Sequence, residues 1–569
     1  MRFRELIYTA LLIFSCSGNG LGYDPANFRK SADDTASDGE NPSEVGVCGF
    51  VRCDGKGVQG VYVSDGQAWA LTGSDGRYSL DSRKPYGYVF MVIPSGYDAP
   101  VVGGFPQFWK SLSSDDASMG ESINFELVRA ANDTHTMVIS ADWHIAGRLN
   151  DIAELKSGYL AEMKTLDAAS SEPVYELALG DLTWDSFWYS GGYYPAAWKS
   201  LNASSSHPIF TAAGNHDYDY KVWGTADDDL NASELYRKSL GPLFYSMNIG
   251  KVHYLVIDNI LYDSTDGTTS GRRPKESVDA AQISWIREDL SHVSKSTPVV
   301  LAGHSPFWRF VMSGGKWRLD KVVSNAEEVL GLLSDFDDVR IFCGHRHITH
   351  FIDHAAEGFT YAASKMLEYT VPPPGGTLWT TSRYCGFNIG TDGCPAGYDI
   401  LEVEGTRMKV RFKAIGEADD YQMRFYDMNE VKGFWDSDSQ VAALVVSNPA
   451  YSYEKLFGTY VPNTILLNVF MGDLRGRLAK VEIFENGIPL VVSNADCFDP
   501  QHVASYDVLA FSTGGSVNSS YKSVPCTHIY RAVASSATSA ITAKVTDREG
   551  RVFKASLSRP KIFHTKTHY

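Results

Sequence analysis

VRIFCGHRH, residues 339–347, is an apolar run closed by a glycine and then by two histidines one residue apart. Protonation of either ring disfavours the other, so such crowding asks for a cause. Five further stretches share the form: TMVISAD (136–142), YELALGD (175–181), PIFTAAGNHD (208–217), HYLVIDN (253–259) and PVVLAGHSP (298–306). Continuous apolar runs of this kind read as strands buried on both faces. Between the first two runs, Ile152, Leu155, Tyr159, Met163 and Leu166 recur every three or four residues and predict an amphipathic helix. Ile283, Ile286, Leu290 and Val293 predict another. Strands alternating with helices indicate a layered α/β unit.

Polar residues gather where these strands end, which is the edge where open α/β sheets bind ligands. In order, the ends carry Asp142-Trp143-His144, Gly180-Asp181, Gly214-Asn215-His216-Asp217, Gly303-His304 and Gly344-His345-Arg346-His347. Each alone is weak, because a lone Gly-Asp is an ordinary turn. Five in succession, all of metal-ligand residue types, point to a metal site. If the segment is extended, residues i and i+2 share a side, so His345 and His347 face one site and Arg346 faces away. Their attachment points would then lie roughly 6–7 Å apart, which suits two cations about 3.5–4 Å from each other. The same reasoning pairs Asp142 with His144. Cys343, alternating with these residues, reads as a buried, inert thiol.

The ordered set D-x-H, GD, GNHD, GH and GHxH over about residues 136–366 resembles the calcineurin-like metallophosphoesterase superfamily. That resemblance implies a β-sandwich flanked by helices and a pair of divalent cations. Asp142, His144, Asp181 and His347 would hold the first, and Asp181, Asn215, His304 and His345 the second, with Asp181 bridging. His216 would stand near the leaving group, oriented by Asp217. It further implies hydrolysis of phosphate mono- or diesters by a hydroxide shared between the cations. The mixed nitrogen and oxygen donors, with no thiolate, tolerate Mn, Fe or Zn alike.

The flanks have another texture. Residues 45–130 (GVYVSDG, TGSDGRYSL, YVFMVIP) and 417–569 (TILLNVF, AKVEIFENGIPLVV) alternate and turn at Asp-Gly and Gly sites, as all-β sandwiches do. The phosphoesterase part then occupies 131–416, and the three-part layout resembles a bacterial exported subgroup of the family. MRFRELIYTALLIFSC, residues 1–16, combines Arg2 and Arg4 with a short apolar run and a Ser15-Cys16 lipidation box. It is followed by a tether, 17–44, rich in Ser, Gly, Asp and Asn. Export is expected, as a periplasmic or outer-membrane lipoprotein of a Gram-negative bacterium, or as a secreted protein. Of eight cysteines, Cys48/Cys53, Cys385/Cys394 and Cys497/Cys526 would form disulfides in that setting.

A formal charge of −17 disfavours nucleic acid or anionic lipid as a whole-surface partner. A phosphate substrate, small or glycan-linked, is compatible because bound cations reverse the local field. Trp184, Trp188, Tyr189, Tyr193, Tyr194, Trp308, Trp317 and Trp379 follow the motifs, either stacking a sugar or base or packing on a neighbouring sandwich. Arg272 and Arg273 read as a solvated loop. Two other functions compete: a nucleotide or sugar-nucleotide pyrophosphatase with the same site, and a ligand-binding surface lipoprotein whose phosphoesterase unit is inactive. The full ligand set argues against the latter, and no HExxH helix supports a metallopeptidase.

Overall fold

The computed structural model describes residues 46–565 except 148–149, 185–199, 203–204, 220, 223–226, 263–273, 363–364 and 376–380. The leader, the tether, Cys16, Trp188, Tyr189, Tyr193, Tyr194, Arg272, Arg273 and Trp379 lie outside the described residues. Among the described residues no helix is long and apolar enough to cross a membrane.

The apolar runs form two sheets. The first uses β1 (Thr134–Ser140), β2 (Val174–Leu179) and β3 (Ile209–Ala212); the second uses β4 (Tyr245–Ile249), β5 (Val252–Val256), β6 (Val299–Ala302), β7 (Val339–Cys343), β8 (His350–Asp353) and β9 (Met366–Thr370). Strands β10 (Gly397–Glu404) and β11 (Arg407–Ala414) return to complete the first. The orders are β3-β2-β1-β10-β11 and β4-β5-β6-β7-β9-β8. β1, β2 and β3 run parallel, as do β5, β6, β7 and β9. Met137, Leu177, Leu301, Ile341 and Met366 belong to one continuous apolar core. Every residue of β2, β3, β5, β6 and β7 is buried, and burial on both faces explains why these strands are mostly apolar rather than alternating.

The predicted helix over Ile152–Leu166 is two helices, Asp151–Ser157 and Tyr159–Ala169, broken at Gly158. A Cβ at Gly158 would stand 2.9 Å from Ile415 Cγ2, so the break lets the chain pass close to the end of β11. The second predicted helix is present as Ala280–Ser291, capped by Asp279, which accepts from the N–H groups of Ala281 and Gln282.

The N-terminal region is strand-rich. Val47–Cys53 alternates buried and half-buried residues at the centre of one sheet, and Tyr62–Ser64 and Tyr88–Met91 belong to another. It packs on the phosphoesterase part through Trp69, stacked on Trp285 with ring centroids 5.1 Å apart, and through Ser64, whose Oγ accepts from Trp285 Nε1 at 3.0 Å. Two four-stranded sheets follow β11, and helices that the alternating texture did not suggest cover one of them: Met428–Ser437, Ser439–Ser447 and a helical stretch over 500–514. Leu466 packs with Val431, Trp435 and Leu444, while Ile465 and Leu467 face Ile483 and Ala543.

The expected disulfides are absent, since all seven described cysteines are free thiols. Cys48 and Cys53 lie five residues apart on one strand and face opposite sides of it, beyond any bridge. Cys385 Sγ instead donates to the carbonyls of Thr381 and Phe387, and Cys394 Sγ accepts from the Thr349 hydroxyl. Cys526 N–H donates to the Cys497 carbonyl, so that pair is adjacent yet unbridged.

Candidate metal centre

The five motif segments leave β1, β2, β3, β6 and β7 at their carboxyl ends and converge. Two glycines make the convergence close. A Cβ on Gly214 would lie 2.2 Å from the Asp181 nitrogen, and one on Gly344 2.4 Å from Ala141 Cβ. The backbone then bends in an unusual way. Asp142, His144, Asp181, His345 and His347 all have left-handed φ, between 45° and 66°. The expected extended geometry is therefore not used, because each motif curls over the strand end instead of continuing the strand. Such strain collects at functional sites, where the surrounding structure enforces it.

Three overlapping groups of donor atoms result: Asp142, His144 and His347; His144, Asp181 and His216; and Asp181, His304 and His345. His345 and His347 thus serve different groups. In the first, His144 Nε2 and His347 Nε2 are 2.9 Å apart, and Asp142 Oδ1 lies 3.3 Å from His347 Nε2. In the third, His304 Nε2 is 3.3 Å from Asp181 Oδ2, 3.0 Å from Asn215 Oδ1 and 3.2 Å from His345 Nδ1. Atoms about 2.0–2.1 Å from a shared ion in a tetrahedral array stand roughly 3.3 Å apart, so these spacings fit cations. The donor chemistry fits as well. His304 Nδ1 donates to the Leu179 carbonyl at 2.7 Å, which leaves the Nε2 lone pair of the neutral ring for the cluster. Asp142 Oδ1 is buried without a hydrogen-bond donor.

Electrostatics point the same way. Burial would raise the Asp142 carboxyl, but the His347 and His144 rings hold it well below the usual carboxylate range. Asp181 is likewise held low against burial by His304 and His216. Burial disfavours a charged His304 ring, yet the Asp181 carboxylate raises it to about 10. A field that does this also attracts a divalent cation.

The Asp217 carboxylate accepts from the backbone N–H groups of Asp181 (2.8 Å), Gly214 (2.8 Å) and Leu182 (3.2 Å), tying two strand ends together. The His216 ring crosses His144 edge to face at 5.0 Å, lies 5.3 Å from Trp184, and sets its Nε2 3.9 Å from Asp181 Oδ2. Trp184 therefore borders the site. Trp308 packs on Phe359, and Trp317 Nε1 donates to Asp496. Cys343 is buried, its thiol pushed well above the ordinary value by burial and by Glu368. Glu276, whose carboxylate stands 3.5 Å from His345 Nε2, has no motif to announce it. The acidic residue between the predicted strands is its only trace in the sequence.

Residues 45–130 match the N terminal of Calcineurin-like phosphoesterase, 132–349 the Calcineurin-like phosphoesterase itself, and 368–553 its C terminal part. The chain belongs to the calcineurin-like phosphoesterases. Among solved structures this phosphoesterase is similar to the purple acid phosphatase PPD1 of yellow lupin (Lupinus luteus) seeds, with 11% identity over 61% of this chain and 56% of that one and a TM-score of 0.33. A 5'-nucleotidase from Candida albicans shares 15% identity over 50% and 51%, at a TM-score of 0.29. A 5'-nucleotidase precursor from Thermus thermophilus shares 12% over 50% and 54%, at 0.27. The chain spans about half the length of these structures. No curated protein matches the chain in sequence.

Proposed function

We propose that this chain is a dimetal phosphoesterase that hydrolyses phosphate mono- or diesters, small or glycan-linked, outside the cytoplasm. The observation that carries the reading is Asp181, whose carboxylate belongs to two of the three overlapping donor groups, one with His144 and one with His304 and His345. Asp142, His144, His347 and Asp181 would hold one cation; Asp181, Asn215, His304 and His345 would hold the other. Two divalent cations there supply Lewis acidity toward the phosphoryl oxygens and make water a nucleophile near neutral pH.

The chain's own residues do the rest. His216, with 14% of its side chain exposed, is the histidine of the cluster left over once the ligands are assigned, and it can give a proton to the leaving oxygen. Asp217 keeps the Asp181 and Asn215 segments in register through the three backbone N–H groups it binds. Trp184, beside His216, offers an apolar wall to the leaving group. Export rests on the Arg2, Arg4 and Ser15-Cys16 pattern, and the mass of the mature N-terminus in a Gram-negative host tests it: an acylated Cys16 is expected, and a mature form beginning elsewhere removes the lipid anchor.

The direct test is phosphate release from a panel of monoesters, diesters and nucleoside diphosphates by metal-reconstituted protein. Turnover of mono- or diesters is expected. Turnover confined to pyrophosphate linkages would reassign the substrate class, and none on any member would leave a binding protein.

A further inference from the structure

We infer that Glu276 is a positioning residue for His345: its carboxylate faces the ring's Nε2–H, so that Nδ1 is the nitrogen offered to the second cation. This rests on the dimetal reading and deepens it.

Glu276 is held in place by the framework of the site. It ends the short strand Pro274–Glu276, paired antiparallel with Ile260–Tyr262, with Ile260 opposite Glu276. Its carbonyl accepts from Ser324 N–H, and the next N–H, that of Ser277, donates to the Asn259 carbonyl at 3.0 Å. The Asn259 side chain clamps Ser305 from both sides, its Nδ2 donating to the Ser305 carbonyl at 2.6 Å and its Oδ1 accepting from Ser305 N–H at 2.9 Å. Ser305 follows His304 in the chain. The ribbon that presents Glu276 is thus fastened to the loop that presents a neighbouring donor.

The ring between them has two nitrogens with different surroundings. Nε2 faces Glu276 Oε1 at 3.5 Å. Nδ1 lies 2.8 Å from Asn215 Oδ1 and 3.2 Å from His304 Nε2, inside the donor group that includes Asp181. A neutral imidazole carries one proton. On Nδ1, that proton would leave an Nε2 lone pair pointing at a carboxylate. On Nε2, it meets the carboxylate and frees the Nδ1 lone pair for the cluster. His304 is arranged the opposite way, with its Nδ1–H on the Leu179 carbonyl and Nε2 toward the cluster. Two adjacent ligands therefore present opposite nitrogens, each set by the acceptor behind it. Acceptors behind metal-bound histidines fix the tautomer and raise basicity, and removing one weakens metal binding about 10- to 100-fold.

The test is titration of the metal-free full chain with Zn²⁺, and with Co²⁺ for its absorption spectrum, in native protein, Glu276→Ala, Glu276→Gln and His345→Ala. Native protein should take two equivalents. Glu276→Ala should bind one of them about 10- to 100-fold more weakly, the same one that His345→Ala loses, with the other unchanged. Glu276→Gln keeps an acceptor oxygen and should recover most of the loss. Two native-strength equivalents in Glu276→Ala, or equal weakening of both, overturns the inference. Ring ¹⁵N shifts of the metal-loaded native protein decide it without any variant: one ring metallated at Nδ1 and protonated at Nε2 is expected, and metallation of every ring through Nε2 overturns it. Fewer than two equivalents in native protein would instead overturn the dimetal reading.

Discussion

Gly344 stands where the ends of β1 and β7 come closest, and replacing it with alanine tests whether that closeness serves metal binding. The added Cβ would lie 2.4 Å from Ala141 Cβ and 2.5 Å from Asp142 Oδ2. Carbon atoms in contact prefer about 3.5–4.0 Å, so the two strand ends must part by roughly 1 Å. Neither neighbour can swing aside: Ala141 Cβ is fixed to its backbone, and Asp142 Oδ2 accepts from His345 N–H at 2.8 Å. The backbone at Gly344 is not left-handed, so the strain comes from the contact alone. Overpacking of this kind lowers stability by about 1–3 kcal/mol. Metal–ligand distances tolerate only about 0.2 Å, so binding should suffer more than folding. Gly344→Ala is expected to fold and to bind the cation held by Asp142, His144 and His347 about 10- to 100-fold more weakly. Gly331→Ala is the control, since its Cβ meets nothing within 4 Å. Metal titration and denaturant unfolding of metal-free protein give both numbers. Native affinity for both cations in Gly344→Ala would refute the claim that close strand approach builds the site.

His216→Ala should keep both cations and lose about 10²–10⁴-fold in turnover of alkyl or sugar phosphates, whose alkoxide needs a proton. It should lose far less on nitrophenyl esters, and equal losses on both would assign His216 to phosphoryl charge instead. Away from the site, buried His207 lies with Nδ1 2.7 Å from Asp167 and Nε2 3.2 Å from Glu176; against burial, these carboxylates raise it from 6.5 to about 9. A raised folded value gives stability that is complete below pH 6.5 and is lost as pH rises through about 9, on the order of 3 kcal/mol. Unfolding free energies of native protein and His207→Gln should therefore converge across that window, and parallel curves would contradict the ion pair.

The strands and the donor residues were legible because burial on both faces writes a largely apolar run, and five of the six runs stop at residues of the donor cluster. The shape of the motifs was not. Left-handed φ at Asp142 or His347 is imposed by neighbouring strand ends, and a one-dimensional reading of i and i+2 has no access to it. The backbone contacts of Asp217 were hidden for a similar reason, since two of the three N–H groups it binds, those of Asp181 and Leu182, lie far away in sequence. The C-terminal helices were readable in principle. Val431 and Trp435 are four residues apart, and Asp427 and Asp438 sit at N-cap positions, but the alternation of the strands beyond them dominated the texture. Glu276 offers a single carboxylate with no spacing rule, and only the folded ribbon brings it to His345.

The central claim is that one carboxylate, Asp181, holds two cations. Metal content and affinity of purified native protein, Asp181→Asn and His347→Ala, measured after reconstitution, test it most directly. Two equivalents are expected in native protein, weakened binding of both in Asp181→Asn, and weakened binding of chiefly one in His347→Ala. Two full equivalents retained at native affinity in Asp181→Asn would contradict the shared carboxylate and, with it, the assignment of the site.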